Sequence, residues 1–155
     1  MQISQPPGFR VRPVATGDLA QVIALDSQIT GLEKAAYWED VLRRYGGRNR
    51  PGRCFLVADE GGAIQGFIVG EVRDWEFGSP PCGWVFGISV RPEARQAGIA
   101  TRLLAAVLDF FRKAGVGKVR TLLARDNHLV HSFFRSQGMM AAPFIPLELD
   151  LEAAE

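Results

Sequence analysis

The sequence Ile88-Ser89-Val90-Arg91-Pro92-Glu93-Ala94-Arg95-Gln96-Ala97-Gly98-Ile99-Ala100 runs from a strand through a short loop directly into a helix. Within it, Arg95-x-x-Gly98-x-Ala100 places small residues where the helix begins. The first N–H groups of a helix have no acceptor inside the helix, and the positive end of the helix dipole lies there. Because small residues let a ligand approach the backbone closely, the motif predicts a site for a phosphate or pyrophosphate.

Two other kinds of glycine-rich phosphate loop do not match this sequence. The dinucleotide fingerprint needs Gly-x-Gly-x-x-Gly after a first strand, and the phosphate loop of nucleotide hydrolases needs Gly-Lys-Ser/Thr. Neither pattern occurs in the chain. The remaining alternative is a helix that merely starts at a turn containing proline and arginine.

Hydrophobic periodicity predicts a chain that alternates between strands and helices. The order is strand, two helices, three strands, helix, strand, helix and two closing strands, which indicates a mixed α/β protein around one sheet. The predicted helices are 19–27, 32–45, 101–114 and one that follows Asn127. The predicted strands are 9–13, 54–58, 63–72, 84–90, 118–123, 139–140 and 145–151.

A second segment, Asn127-His128-Leu129-Val130-His131-Ser132-Phe133-Phe134-Arg135-Ser136-Gln137-Gly138-Met139, combines an Asn, a helix with an aromatic pair and a Gly that ends the helix. Together with the loop around Gly98, it resembles the two signatures of the GNAT family of N-acetyltransferases. The resemblance covers roughly residues 9–150. It implies one GNAT domain over 1–155, with residues 1–8 flexible, about seven strands and about four helices, and a fourth and fifth strand that splay apart.

The resemblance implies acetyl-CoA, or another short acyl-CoA, as the cofactor. Its pyrophosphate would bind the amides of 96–100, and its pantetheine arm would pair with the backbone of Ile88 and Val90. Arg95 would add charge, although it could equally be a surface residue. Asn127 would contact the pantetheine, and it could also cap its helix. The implied cofactor residues are Ile88, Val90, Arg95, Gln96, Ala97, Gly98, Ile99, Ala100, Asn127, Phe133 and Phe134.

The expected activity is direct acetyl transfer to a primary amine of a small molecule or of a protein or peptide. Many relatives carry a Tyr as general acid at the position of Phe134, which has no proton to give. The predicted fourth strand contains no carboxylate, and the nearest candidates for the base are Glu71, Asp74 and Glu76. Of these, Glu71, acting through a water, is the preferred base, and a surface role is its alternative. Residues expected to contact the amine are Glu33, Tyr37, Trp38 and Asp74, which could equally belong to the core and rim.

Composition restricts the other functions. The chain has 155 residues, 47% of them hydrophobic, and a net charge of +1, so it predicts no nucleic-acid partner and no membrane segment. Cys54 and Cys82 lack metal-site spacing, which predicts no metal and a reduced, cytoplasmic protein. A homodimer is compatible with the resemblance, because a final strand often joins two copies in such folds. A non-catalytic acyl-CoA-binding module of the same fold is the alternative function.

Overall fold

A five-stranded mixed sheet lies at the centre of this computed structural model, which describes residues 8–47 and 50–152 but not the side chain of Gln96. The strands are β1 (Arg10–Pro13), β2 (Arg53–Glu60), β3 (Ala63–Arg73), β4 (Cys82–Val90) and β5 (Val119–Thr121). The helices are α1 (Leu19–Thr30), α2 (Ala35–Tyr45), α3 (Ile99–Lys113) and α4 (His128–Ser136). Short 3₁₀ helices cover Thr16–Asp18 and Pro92–Ala97. The flexibility expected for residues 1–8 stays a prediction, and residues 1–7 lie outside the described residues.

The strands follow one another across the sheet in chain order. β1 to β4 pair antiparallel, as expected for strands joined by short connections, whereas β4 and β5 pair parallel. The parallel pair is joined by a crossover that contains α3, because antiparallel hairpins cannot connect parallel strands. From β1 to α4 the elements follow one another as a strand, two helices, three strands, a helix, a strand and a helix, whereas the predicted order of seven strands is not confirmed.

One face of the sheet packs against α1 and α2. Phe55 and Phe67 on the strands meet Trp38 of α2, with ring centroids 5.9 and 4.9 Å away. Val22 and Leu25 of α1 complete the same buried cluster. Along each strand, these side chains alternate with residues that point to the other face of the sheet. This alternation is the period of two from which the strands were predicted.

The opposite face of the sheet carries α3, which approaches the strands at glycines. A Cβ atom at Gly83 would lie 2.5 Å from the Phe111 ring, and one at Gly70 would lie 2.9 Å from it. Gly66 similarly leaves room for Ile99 at the start of the helix. The missing side chains let α3 lie close to the sheet, which fixes the helix start beside the end of β4.

The two predicted closing strands are wrong. Among the described residues, neither 139–140 nor 145–151 forms a strand, and the sheet has five strands rather than about seven. Proline at positions 143 and 146 removes two backbone donors from this region. The alternation of side chains identified an extended segment, but a strand also needs a neighbouring strand with free backbone groups.

The described chain divides into two compact units, one extending to Leu122 and the other beginning at Leu123. The first contains the whole sheet with α1, α2 and α3. The second contains α4 and the C-terminal segment. The single domain expected from the sequence stays a prediction. None of the described helices is long and apolar enough to span a bilayer.

Candidate active site

β4 has an open edge over its second half. β5 pairs with it only from Gly83 to Val85, and the Thr121 hydroxyl donates a 2.8 Å hydrogen bond to the Val85 carbonyl at the end of this pairing. Among the described strands, none pairs with β4 on this side after Val85. At the next residue, Phe86, a β-bulge shifts the register against β3. The pairing with β5 and the regular ladder with β3 are therefore both interrupted at the same point.

The peptide groups of Ile88 and Val90 point toward that open edge. The Arg91 amide donates to the Gln65 carbonyl of β3 at 2.8 Å. Backbone groups alternate between the two sides of a strand, so Ser89, two residues before Arg91, also directs its backbone N–H and C=O groups toward β3. The residues between and before these two direct theirs away from β3. Ile88 and Val90 occupy these positions, opposite Ile68 and Gly66. Their N–H and C=O groups form a short edge that an extended ligand could pair with.

The turn that follows β4 is fixed to the sheet and open at its tip. The Arg91 side chain donates to the Ile64 carbonyl at 2.9 Å, which holds the start of the turn against β3. Gly98 adopts φ +78°, a left-handed conformation that favours glycine, and a Cβ atom there would meet nothing within 4 Å. The space in front of this glycine is therefore free among the described residues.

α3 begins directly after this glycine, without a side-chain cap on Gly98. The Arg102 amide makes the first helical hydrogen bond, onto the Gly98 carbonyl at 3.1 Å. The amides of Ile99 and Ala100 precede that bond and lie at the positive end of a 15-residue helix, a suitable position for an anion. Arg95 is exposed beside them, and Gln96 contributes its backbone to the preceding 3₁₀ helix.

α4, in the second unit, carries the other predicted cofactor residues. Asn127 caps this helix, with its Oδ1 accepting from the Val130 amide at 3.2 Å. The helix-cap alternative for Asn127 is thus confirmed, and a cap with an exposed side chain can also contact a ligand. Phe134 is buried and Phe133 is half-buried, with ring centroids 5.3 Å apart. Their contact with a cofactor stays a prediction.

Glu71 is held by two donors at the end of β3. The Tyr45 hydroxyl donates to Glu71 Oε2 at 2.7 Å, and Arg73 Nε donates to Oε1 at 3.2 Å. Burial, followed by the hydrogen bond to Glu71, raises the pKa of Tyr45 above its ordinary value of 10.0, so its hydroxyl stays protonated at neutral pH. The Tyr45 ring meets Phe86 edge-on at 5.2 Å. This contact connects the carboxylate to the β4 bulge where the open edge starts.

The residues predicted to contact an amine differ in exposure. Tyr37 and Glu33 are exposed near the start of α2, and Asp74 is exposed in the connection between β3 and β4. Trp38 is 4% exposed, and its Nε1 donates to buried Asp26 at 3.0 Å. Since its ring also packs edge-on against Tyr37 at 5.0 Å, Trp38 could influence an amine site by supporting that side chain.

The cysteines are buried and the histidines are exposed. Burial raises the pKa of the Cys54 thiol to about 12, so it stays an unreactive thiol. Cys82 is buried at the start of β4, where its sulfur accepts from Arg120 Nη1 at 3.3 Å. His128 and His131 are exposed on α4. Among the described residues, no group of three or more His, Cys, Asp or Glu side chains could hold a metal ion.

The comparisons with known proteins agree with this fold. The sequence profile of the acetyltransferase (GNAT) family matches residues 19–139, and the chain belongs to that family. None of the curated proteins matches the sequence.

The solved structures that resemble the chain include several aminoglycoside acetyltransferases. The aminoglycoside N-acetyltransferase AAC(6')-Iy in complex with CoA is 20% identical over 97% of this chain and 99% of its own, with a TM-score of 0.77. The enzyme AAC(6')-Ih from Acinetobacter baumannii is 18% identical over 92% and 99%, with a TM-score of 0.75. A transcriptional regulator from Bacillus halodurans C-125 is 14% identical over 92% and 99%, with a TM-score of 0.78. At these sequence identities, the similarity shows that the chain and the three proteins share a fold, and it shows the fold alone.

The contact between Tyr45 and Glu71 was not predicted from the sequence. The two residues are 26 positions apart, and no local pattern pairs the end of a helix with the end of a strand. The bulge at Phe86 was not predicted either. The local signal was Gly87 within the predicted strand, because glycine inside a strand often marks a bulge or a close approach.

Proposed function

We propose that the chain is an acetyl-CoA-dependent N-acetyltransferase that transfers the acetyl group directly to a primary amine. The observation that carries the proposal is the continuity of two binding features within one segment of chain. The outward peptide groups of Ile88 and Val90 lead along β4 to the open turn at Gly98 and the start of α3. This order suits a ligand with an extended amide-containing arm at one end and a diphosphate at the other.

The residues present fit acetyl-CoA, which when bound would supply an acetyl thioester. The amides of 96–100 would bind its diphosphate, and the exposed Arg95 would add a charge-assisted contact. The Ile88 and Val90 backbone would hold the pantetheine arm as a neighbouring strand would, with Ile88 nearest the acetyl carbonyl. Asn127, Phe133 and Phe134 are proposed to contact the same arm. The CoA complex of AAC(6')-Iy supports the choice of cofactor.

Glu71 is the proposed general base, acting on the amine through a water. A carboxylate that accepts from Tyr45 and Arg73 keeps lone pairs for a further donor, since each oxygen has two. Tyr45 and Arg73 are positioning residues, because they fix the direction of the carboxylate without meeting the amine. Phe134 offers no proton to the departing thiolate, so no residue of the chain is assigned that role. General acids contribute about 10²–10⁴-fold, and turnover can proceed without one.

The proposed acceptor is a primary amine of a small molecule or of a protein or peptide. Several structures with this fold are aminoglycoside acetyltransferases, which supports a small polar amine. Glu33 and Asp74 would attract the cationic amine before it loses its proton, and Tyr37 would supply an aromatic surface. A cytoplasmic location, and the absence of nucleic-acid and membrane partners, stay predictions from composition.

Gly98→Asp tests the cofactor site. The change places a carboxylate where the diphosphate would bind, so we expect at least a 100-fold loss of CoA affinity in calorimetric titration. Gly115→Asp is the matched control, since Gly115 also has a positive φ, +83°, and open space around it, at the other end of α3. It carries the same backbone strain and should keep the affinity of the unmodified protein. Unchanged CoA binding by Gly98→Asp would remove the assignment of the turn.

A non-catalytic acyl-CoA-binding module is the second candidate. Phe134 in place of a proton donor favours it, as does β4, which contains no Asp or Glu. Release of free thiol from acetyl-CoA with a panel of primary amines, aminoglycosides and peptides included, separates the two. Tight CoA binding with no release for any amine would establish the module.

A further inference from the structure

A row of charged and aromatic side chains crosses the sheet at the position of Glu71. Arg53 of β2 lies opposite Glu71 of β3, Glu71 lies opposite Trp84 of β4, and Trp84 lies opposite Arg120 of β5. Directly opposite residues direct their side chains to the same face of a sheet. Phe55, two residues after Arg53, packs against α2 on that face. The row therefore lies on the face that carries α1 and α2.

Arg73 adds a further guanidinium beside this row. It lies two residues after Glu71 on the same face of β3, its Cζ is 4.4 Å from the centroid of the Trp84 ring, and its Nε donates to Glu71. Among the described residues, none accepts from its Nη1 or Nη2, and its side chain is 36% exposed. A guanidinium held by stacking and by one N–H presents its remaining donors in a fixed direction, which suits the oxygens of a carboxylate or phosphate.

Positive charge exceeds negative charge at this end of the sheet. Arg53 is exposed, its Nη1 donates to the backbone carbonyl of Arg44 at 3.3 Å, and none of the described acids forms an ion pair with it. The chain from Arg43 to Arg53 contains five arginines and no Asp or Glu. In the row and at position 73 together, the guanidinium groups of Arg53, Arg73 and Arg120 accompany the single carboxylate of Glu71. Such an excess attracts anions.

The indole of Trp84 contributes a hydrogen-bond donor to the same place. Its Nε1 is buried and has no acceptor among the described residues. Buried N–H groups in folded proteins are nearly always paired, so this one indicates an acceptor that is not among the described residues. Because the Arg73 guanidinium lies over the same ring, an anionic group bound to Arg73 would bring its oxygens close to this donor.

The position of these charges separates them from the proposed diphosphate site. Val90, which leads into the turn at Gly98, is six residues after Trp84 on β4. At about 3.3 Å per residue, the two positions are about 20 Å apart along the strand. The arginines are therefore too far from the turn to hold the diphosphate. They lie beside Glu71, the proposed base, where the acceptor would bind.

We propose that the acceptor is an amine that also carries an anionic group, a carboxylate or a phosphate, and that Arg73 binds this group with help from the charge of Arg53. The inference rests on the proposed function, because it assigns the substrate class of the same site. Arg73 donates to Glu71 through Nε and would donate to the anion through Nη1 and Nη2, so the amine and the anionic group lie within a few atoms of each other in the substrate. A polycationic amine would be repelled by the same arginines.

Matched pairs of amines test the proposal on the full chain saturated with CoA. L-alanine is compared with L-alaninamide, and phosphoethanolamine with ethanolamine, so that each pair differs by its anionic group. The titration follows the indole N–H resonance of Trp84 by NMR, assigned with Trp84→Phe among the three tryptophans. In at least one pair, the anionic member should bind about tenfold more tightly or better, and the pair that responds identifies the anion. Equal responses within both pairs, or tighter binding of an aminoglycoside than of either anionic amine, would overturn the proposal.

Substitutions at Arg73 locate the anion. Arg73→Gln should reduce the affinity ratio within the responding pair to near one, whereas Arg73→Lys keeps the charge without the fork and should retain part of the ratio. Arg112→Gln is the control, because it removes an exposed arginine of α3, which packs on the other face of the sheet, and it should leave the ratio unchanged. The ratio compares two amines on one protein, so a general loss of stability does not change it. A ratio that survives Arg73→Gln would overturn the assignment.

Thiol release from acetyl-CoA separates this inference from the proposed function. The same pairs of amines are supplied as acceptors, and kcat/KM should be higher for the anionic member of the responding pair. A protein that prefers the anionic amine in the titration but releases no thiol would support the inference and remove the transferase activity. A protein that acetylates the members of both pairs with equal kcat/KM would keep the activity and overturn the inference.

Discussion

At the scale of single residues, the proposed base depends on the two hydrogen bonds that the carboxylate oxygens of Glu71 accept. Glu71 is polar, half-buried and within hydrogen-bonding distance of one phenol and one guanidinium. An ordinary surface carboxylate at a strand end is hydrogen-bonded mainly to water, whereas Glu71 accepts from two side chains at separate positions of the chain. The buried Tyr45 side chain commits its hydroxyl to Glu71, and its ring lies against the bulge residue Phe86. This arrangement gives Glu71 a fixed direction near the open edge of β4.

Tyr45→Phe should slow acetyl transfer. Glu71 loses a donor that fixes the direction of its carboxylate, so we expect kcat to fall by about tenfold. Steady-state kinetics at saturating acetyl-CoA would measure the change. Tyr37→Phe is the control, because it removes a hydroxyl that Glu71 does not accept from and keeps the aromatic ring, and it should leave kcat unchanged. An unchanged kcat for Tyr45→Phe would mean that Glu71 is not the base.

At the scale of secondary structure, the sequence predicted the parts whose residues carry a local pattern. The turn at Gly98 could be found because one short segment holds the strand end, the glycine and the helix start. Helix α3 and strands β2 to β4 could be found from the spacing of their apolar residues. Strand pairing depends on distant partners, so the alternation at 145–151 was interpreted as a strand of the same sheet. The Tyr45–Glu71 contact was beyond prediction for the same reason.

Gly83→Ala tests the close approach of α3 to β4. The new methyl group would lie 2.5 Å from the Phe111 ring, so the helix or the ring must move. We expect the free energy of unfolding to fall by about 1–3 kcal/mol, the usual cost of overpacking a core. Gly117→Ala is the control, because its methyl group would meet nothing within 4 Å. Urea unfolding followed by tryptophan fluorescence measures both. Equal stability of the two variants would mean that α3 does not pack against Gly83 as described.

At the scale of the whole molecule, an ion-pair network ties the N-terminal edge of the sheet to the helices. Arg12 of β1 donates to both carboxylate oxygens of Asp18 at 2.7 and 2.9 Å and to Asp59 of β2 at 3.0 Å. Asp18 also accepts from the Ala15 amide, which shapes the turn into α1. One side chain thus joins two strands and the entry to the first helix, and global unfolding must break all of these contacts.

The same network predicts how stability depends on pH. The hydrogen bond from Arg12 is the largest cause that lowers the pKa of both Asp18 and Asp59 below the ordinary value of 3.8. A carboxylate with a lowered pKa in the folded state stabilises the protein above its unfolded pKa, and this stabilisation is lost as the pH falls through the folded value. The free energy of unfolding from urea titration should therefore be constant near neutral pH and decrease from about pH 4 downward.

Arg12→Gln should remove much of that acid dependence and destabilise the protein at pH 7. Asp18 is buried, so losing its charged partner should cost about 2 kcal/mol in the free energy of unfolding at neutral pH. The cost should shrink toward pH 3, where protonated carboxyl groups no longer need the cation. Arg10→Gln is the matched control: Arg10 is exposed, 3.8 Å from Asp59, and should contribute little at either pH. If Arg12→Gln lowered stability equally at both pH values, the network would act through packing rather than charge.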